Sequence, residues 1–361
     1  MRILHTEASC GWGGQEIRIL DEAQGMAARG HEVAIAAPRE AKIYEAALKR
    51  GLNIVALPIA TKNIRGVLAL RRRFKTHPVD VVNTHSSTDS WLAALACATL
   101  ARAPALVRTR HISAAIPNNL PTRWLYLAAT RHIVTTGDNL RMQLVRDNGF
   151  PPERITSVPT GIDPSRFAPG NRGAARRATG LPPERRLVGI VATLRSWKGH
   201  RHLIEAFSRL PADTGLVIVG DGPQRQNIEA KIREFNIGER VWLAGNRDDV
   251  LPWLQSLDVF ALPSYANEGV PQALVQAMLC GLPCVTTAVG SIGEVARDGE
   301  TAIVVKTEDT ADLRRGLERL LADTELRTRL GAAARRHCAE NFGVGEMLDR
   351  MERVFRDAAN A

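Results

Sequence analysis

The chain has 361 residues, enough for two ordinary domains, and its 45% apolar fraction belongs to a soluble globular protein rather than a disordered or membrane one. The formal net charge of +10 is unevenly placed: residues 1–168 hold 22 Lys and Arg against 13 Asp and Glu, the remainder 26 against 25. The first half is therefore expected to meet something acidic, and without a nucleic-acid motif beside the charge, anionic lipid headgroups or a phosphorylated acceptor fit better than nucleic acid.

Ile3–Thr6 reads as a first strand, followed by Gly11-Trp12-Gly13-Gly14 and an amphipathic helix over Ile17–Arg29 with Ile17, Leu20, Ala23 and Ala27 on one face. Val33–Ala36 is the next strand. This order is a Rossmann-like start, yet the glycines lack Gly-x-Gly-x-x-Gly spacing and no acid ends the second strand, which argues against a dinucleotide site. Gly13 and Gly14 serve at least a tight turn. Strands at Ile54–Leu57, Val79–Val82, Ala105–Arg108, Ile133–Thr136 and Ile155–Val158 alternate with helices at Arg65–Lys75, Trp91–Ala101 and Asn119–Ala129, the pattern of a parallel sheet covered on both faces. His85 and His111 stand at strand C-terminal ends, where open α/β sheets bind ligands, and are better placed than His5, His77 or His337. Each reads equally well as a satisfied structural histidine. The helix bearing Arg65, Arg71, Arg72, Arg73 and Lys75 fits an anionic membrane surface or, equally, a solvated basic face.

Pro164–Pro183, rich in Pro, Gly and Arg and without a period, reads as a linker. A second α/β array follows: strands at Leu187–Val191, Leu216–Val219 and Val241–Gly245, with Thr193-Leu194-Arg195-Ser196-Trp197-Lys198-Gly199 after the first and Gly220-Asp221-Gly222-Pro223 after the second. Two arrays joined by a linker are expected to leave a cleft. Lys198, after a strand and before a helix, suits a diphosphate as a point charge, the alternative being a solvated surface lysine. Val259–Leu262 is a buried strand ending at Pro263, Glu268-Gly269-Val270-Pro271 a loop, and Ala273–Leu279 a helix. Strand, glycine loop and helix N-terminus make an anion site. Glu268 would repel a phosphate there unless it faces hydroxyls, which suggests a sugar phosphate. The local pattern alone fits equally an ordinary βα turn with Glu268 as a solvated cap. Helices at Ala311–Ala322, Glu325–Ala339 and Phe342–Ala358 follow. The five cysteines fit no zinc spacing and are expected to be reduced and mostly buried. Neither a signal peptide nor an apolar run of transmembrane length is evident, so the expected location is cytoplasmic, peripheral at the inner face of the cell membrane if the basic helix docks there.

Residues 261–294 resemble the donor-site motif of the family-4 (group 1) retaining glycosyltransferases of the GT-B fold, through Glu268-Gly269-Val270-Pro271, Ala277-Met278-Leu279-Cys280-Gly281-Leu282-Pro283-Cys284-Val285 and Gly290-Ser291-Ile292-Gly293-Glu294. The resemblance implies two Rossmann-like domains facing across a cleft. Residues 1–168 would take the acceptor and residues 169–341 the nucleotide sugar, with helix 342–361 crossing back to the first domain through Phe342, Met347, Met351 and Phe355. It further implies hexosyl transfer from a nucleotide sugar, a UDP-sugar favoured, with retention and with neither cofactor nor catalytic metal. The acceptor would be a glycan, lipid-linked or lipopolysaccharide and cell-envelope molecule.

By the same resemblance Gly13 and Gly14 contact donor phosphate, His111 lies near the donor sugar and Lys198 on the diphosphate. The family's Arg is Thr193 here, with Arg195 standing in for it, and its second Glu, which binds the ribose, is Gln276. Glu268 would hold sugar hydroxyls, Gly222, Gly245, Gly269, Val270 and Pro271 would line the donor, and His85 would lie on the acceptor side. Two other readings stay open: an epimerase sharing the fold, and a non-catalytic nucleotide-sugar-binding protein, which the Thr193 and Gln276 departures would explain. No carboxylate pair typical of glycosidases is evident.

Overall fold

The computed structural model describes residues 1–360, and the chain divides into two compact units. Unit 1 takes residues 1–161 and the stretch from Gly345 on; unit 2 is Ile162–Val344.

Unit 1 alternates β1 (Arg2–Thr6), α1 (Gly14–Ala28), β2 (Glu32–Ala37), α2 (Lys42–Lys49), β3 (Ile54–Ala56), α3 (Ile64–Thr76), β4 (Val81–Thr84), α4 (Ser87–Ala98), β5 (Ala105–Arg110), α5 (Leu120–Arg123), β6 (His132–Thr135), α6 (Asp138–Asn148) and β7 (Ile155–Ser157). The seven strands are parallel in the order β3-β2-β1-β4-β5-β6-β7, so the direction of winding reverses between β1 and β4. Leu4, Ile35, Val82, Leu106 and Ile133 are buried because helices cover both faces, which is why these strands read as continuous apolar runs.

Unit 2 alternates α7 (Arg172–Thr179), β8 (Arg186–Val191), α8 (His200–Ser208), β9 (Thr214–Val219), α9 (Arg225–Glu234), β10 (Val241–Gly245), α10 (Leu251–Gln255), β11 (Val259–Leu262), α11 (Gln272–Leu279), β12 (Cys284–Thr286), β13 (Ile303–Val304), α12 (Thr310–Ala322) and α13 (Thr324–Asn341). Its parallel order is β10-β9-β8-β11-β12-β13. Here α11 and α13 touch at Gly331, where an added Cβ would lie 2.2 Å from the Gly281 carbonyl oxygen.

The last helix, α14 (Val344–Asn360), buries Met347, Met351 and Phe355 in unit 1. It lies so close to α1 that a Cβ on Gly25 would meet Leu348 Cδ1 at 2.4 Å. Arg29 reaches Asp349 at 2.7 Å and Glu352 at 3.0 Å.

Three sequence readings need correction. The helical stretch Asn119–Ala129 is α5 followed by a π-helical turn over Trp124–Ala129, whose Leu125 carbonyl accepts from Thr130 Oγ1 at 2.7 Å. The linker Pro164–Pro183 contains α7, capped by Asn171, which accepts from the Ala174 amide at 2.9 Å, and closed by left-handed Gly180. The buried face of α1 includes Arg18 and Glu22 beside Ile19, Leu20, Ala23 and Met26, while Ala27 is exposed. Arg18 is fully buried because its donors are met by Glu22, the Val158 carbonyl at 2.6 Å and Thr160 at 3.2 Å. All five cysteines are free; Cys280, Cys284 and Cys338 are buried, Cys97 partly so, and Cys10 is exposed.

Candidate active site

In unit 2 the loops after five strands are stitched together at the C-terminal edge of the sheet. The Gly220 amide donates to the Gly245 carbonyl at 2.9 Å, joining the ends of β9 and β10. Leu194 donates to the Asp221 carbonyl and accepts from the Gln224 amide, each at 3.0 Å, which zips the loop after β8 to the loop after β9. Gly222 is required there by space, since a Cβ would lie 2.8 Å from the Leu194 carbonyl oxygen. The Tyr265 amide donates to the Trp197 carbonyl at 2.9 Å and ties the loop after β11 to the same assembly.

Lys198 and Glu268 meet at the centre of this edge. The ammonium donates to Oε1 at 2.7 Å and to Oε2 at 2.9 Å, and Ser264 Oγ donates to Oε1 at 2.6 Å. Glu268 is 4% exposed, and these hydrogen bonds satisfy its buried oxygens. The loop after β12 closes over it: Ser291 donates to the Glu268 carbonyl at 3.3 Å, and Gly290 sits at φ +59 where a Cβ would lie 2.1 Å from that oxygen. Gly269, Val270 and Pro271 are buried in the turn into α11, with Pro271 as the residue before the first helical position. Gln276 lies one turn into α11 and is 8% exposed. Arg195 is exposed, its guanidinium 5.8 Å from the Trp197 ring centroid.

In unit 1 the C-terminal ends of β1, β4 and β5 gather polar side chains. Asp89 Oδ2 accepts from Thr6 Oγ1 at 2.6 Å and from the His85 amide at 2.9 Å, fixing the loop after β4. His85 lies between His5 and His111, 3.1 and 3.0 Å away through ring nitrogens. Gly13 precedes α1 and Gly14 opens it. Glu7, fully buried, accepts from the Ser9 amide at 2.7 Å and from Gln15 Nε2, and burial with Asp89 nearby pushes its carboxyl up to about 8.

Residues 12–166 match the family model described as Glycosyltransferase Family 4, and residues 171–337 the one described as Glycosyl transferases group 1. The D-inositol 3-phosphate glycosyltransferase of Mycobacterium sp. (strain KMS) is 30% identical over 352 residues, spanning 86% of this chain and 78% of that protein. The chain belongs to the family 4 glycosyltransferases. Among solved structures, Anabaena HepE in complex with UDP matches with a TM-score of 0.86 at 19% identity, over 99% of this chain and 100% of that one. WaaG, a glycosyltransferase involved in lipopolysaccharide biosynthesis, matches with a TM-score of 0.74 at 21% identity, over 98% and 99%. The glycosyltransferase thus has the GT-B fold, with two Rossmann-like units of seven and six parallel strands.

Of the residues singled out by sequence, the structure joins Lys198 directly to Glu268 and sets Gly222 and Gly245 in the stitched loops beside Arg195. Gly13, Gly14, His85 and His111 belong to unit 1. Two side chains of this glycosyltransferase escaped the sequence reading, Ser264 and Asp89, and a third, His5, was set below His85 and His111 although it joins them. His5 lies within β1, one residue before its end, whereas His85 follows the last residue of β4, and nearness to a strand's C-terminal end was the available signal.

Proposed function

We propose that this glycosyltransferase moves a hexosyl group from a UDP-sugar held by unit 2 to an acceptor held by unit 1, with retention and without a catalytic metal. The acceptor class is a glycan, lipid-linked or cell-envelope molecule. The Lys198–Glu268 pair carries the reading. An ammonium has three donors and a carboxylate about four lone-pair sites. Two donors go to Glu268, which leaves one for a diphosphate oxygen; three carboxylate sites are filled, which leaves one for a sugar hydroxyl. As the glycosidic C–O bond breaks, negative charge grows on the leaving diphosphate, and Lys198 with Arg195 is placed to stabilise it. Within unit 2, Gln276 would contact the donor's ribose; within unit 1, the family resemblance makes His111, Gly13 and Gly14 donor-side residues and His85 an acceptor-side one. UDP in the HepE complex, the D-inositol 3-phosphate named for the mycobacterial relative and the lipopolysaccharide role of WaaG support this donor and acceptor range.

The test is a product assay over a panel of UDP-sugars and acceptors, with NMR of the new linkage. Transfer that keeps the donor's anomeric configuration and survives EDTA is expected. Free isomerised sugar, inversion, or activity lost to EDTA and restored specifically by Mg²⁺ or Mn²⁺ would defeat the reading.

Attachment to an anionic membrane belongs to the same proposal. Ile64 and Leu68, 68% and 56% exposed, project from α3 beside exposed Arg65, Arg72 and Lys75. Arg71 and Arg73 are partly tied up, by Thr99 at 3.0 Å and the His77 carbonyl at 3.2 Å. Each free cation near such a surface contributes about 1 kcal/mol. Among the described residues no helix is long and apolar enough to cross a membrane. Cosedimentation should favour anionic over neutral vesicles and fade with salt; equal binding to both rejects it.

A further inference from the structure

Three imidazoles stand in series at the C-terminal edge of the unit 1 sheet. His5 Nδ1 lies 3.1 Å from His85 Nε2, and His85 Nδ1 lies 3.0 Å from His111 Nε2. The row runs inward from half-buried His111, through His85, to fully buried His5. Burial holds all three far below the ordinary imidazole value, helped by the nearby cations Arg18 and Arg110, with His5 at about 3. They are therefore neutral at working pH.

A neutral imidazole offers one donor and one acceptor. Two contacts in series can then be satisfied in only two ways, and each requires all three tautomers to agree. The inner end decides between them. His5 Nε2 is buried without a hydrogen-bond partner, and the nearby ring of Phe355, its centroid 6.2 Å from that of His5, adds an apolar wall. Stranded N–H donors are rarer in folded proteins than under-satisfied acceptors, so the bare nitrogen belongs at this dead end. The His5 proton then sits on Nδ1 and is donated to His85 Nε2. The His85 proton sits on Nδ1 and is donated to His111 Nε2. His111 is left to carry its own proton on Nδ1.

We propose that His5 and His85 are positioning residues that lock His111 as the Nδ1–H tautomer, so that its remaining ring nitrogen meets the ligand as a hydrogen-bond donor and not as a base. The role of this donor rests on the reading of His111 as a donor-sugar residue. A donor suits a phosphate or hydroxyl oxygen, and its lack of a lone pair withholds from the site a base that would activate water against the nucleotide sugar.

The test is long-range ¹H–¹⁵N correlation of the imidazoles in the unliganded full chain, labelled with [¹⁵N]histidine, with the nine histidines assigned by single substitutions such as His111→Gln. His5, His85 and His111 are each expected as Nδ1–H, and His85→Leu should return His111 to the Nε2–H form that free imidazole favours. Wild-type His111 as Nε2–H, with a proton on His5 Nε2 facing the apolar pocket, overturns the lock; so does a His111 tautomer unmoved by His85→Leu. If that variant does not fold, the wild-type spectrum decides alone. The spectrum is recorded without donor or acceptor, so an enzyme lacking transferase activity but showing Nδ1–H at His111 refutes the functional reading and leaves the lock standing.

Discussion

Lys198 and Glu268 pair directly with one another, so each substitution has two consequences. Lys198→Ala removes one preorganised donor from the leaving group, a loss of about 10²–10³ in kcat. It also strands a carboxylate that is 4% exposed, at a cost of about 1–3 kcal/mol partly relieved by Ser264. Steady-state kinetics and a melting curve on the same variant should show both losses; wild-type turnover in folded protein removes Lys198 from the mechanism. Glu7 gives a pH-dependent test. Its folded-state carboxyl lies near 8, above the ordinary 4.5. Its contribution is therefore fully present below about 4.5 and is lost as pH rises through about 8. Glu7→Gln should leave stability near pH 4.5 almost unchanged and raise the melting temperature increasingly up to pH 8.5, provided the Gln15 amide turns to present its oxygen to the new donor. A gap between variant and wild type that does not widen with pH refutes the shift. Lys198 and Glu268 were legible because each sits in a short motif after a strand. Their bidentate contact was not, since seventy positions separate them and only the β8–β11 pairing brings the loops together.

Among elements, the loop between β12 and the short 3-10 turn at Ile292–Glu294 acts as a clamp on the acid-bearing loop. Gly290 combines a left-handed backbone with a close approach, so Gly290→Ala meets backbone rather than a flexible side-chain tip. Destabilisation above about 1 kcal/mol is expected, together with a larger loss of kcat than of fold, because the displaced atom belongs to Glu268. Near-wild-type kinetics in Gly290→Ala would show that the clamp does not set the carboxylate. The strands and long helices could be read from period and punctuation. The α7 helix could also have been read, since Asn171 and Gly180 bracket it at cap positions, but its mean composition hid it. The π-helical turn had no such marker. Its widened backbone is held by Arg154, which donates to the Leu127 carbonyl at 2.5 Å from a position twenty-seven residues later.

At the scale of the whole molecule, the two parallel sheets were legible from βα alternation, and the membership of α14 in unit 1 came only with the family resemblance. That membership has a consequence for how the protein is made. The sheet of unit 1 is encoded before residue 161, but Met347, Met351 and Phe355 emerge only after all of unit 2. At about 5–20 residues per second, the delay on a ribosome is on the order of ten seconds or more. Throughout it, the α1 face around Gly25 lacks the helix that covers it, Arg18 lacks its Met351 contact at 3.6 Å, and His5 lacks Phe355. A chain truncated after Gly343 should therefore resist protease across unit 2 while unit 1 is cut, and resistance in both would show that α14 is dispensable. Nascent chains stalled at that length should recruit chaperones through a surface the finished enzyme never shows, and the unit begun first is the one completed last.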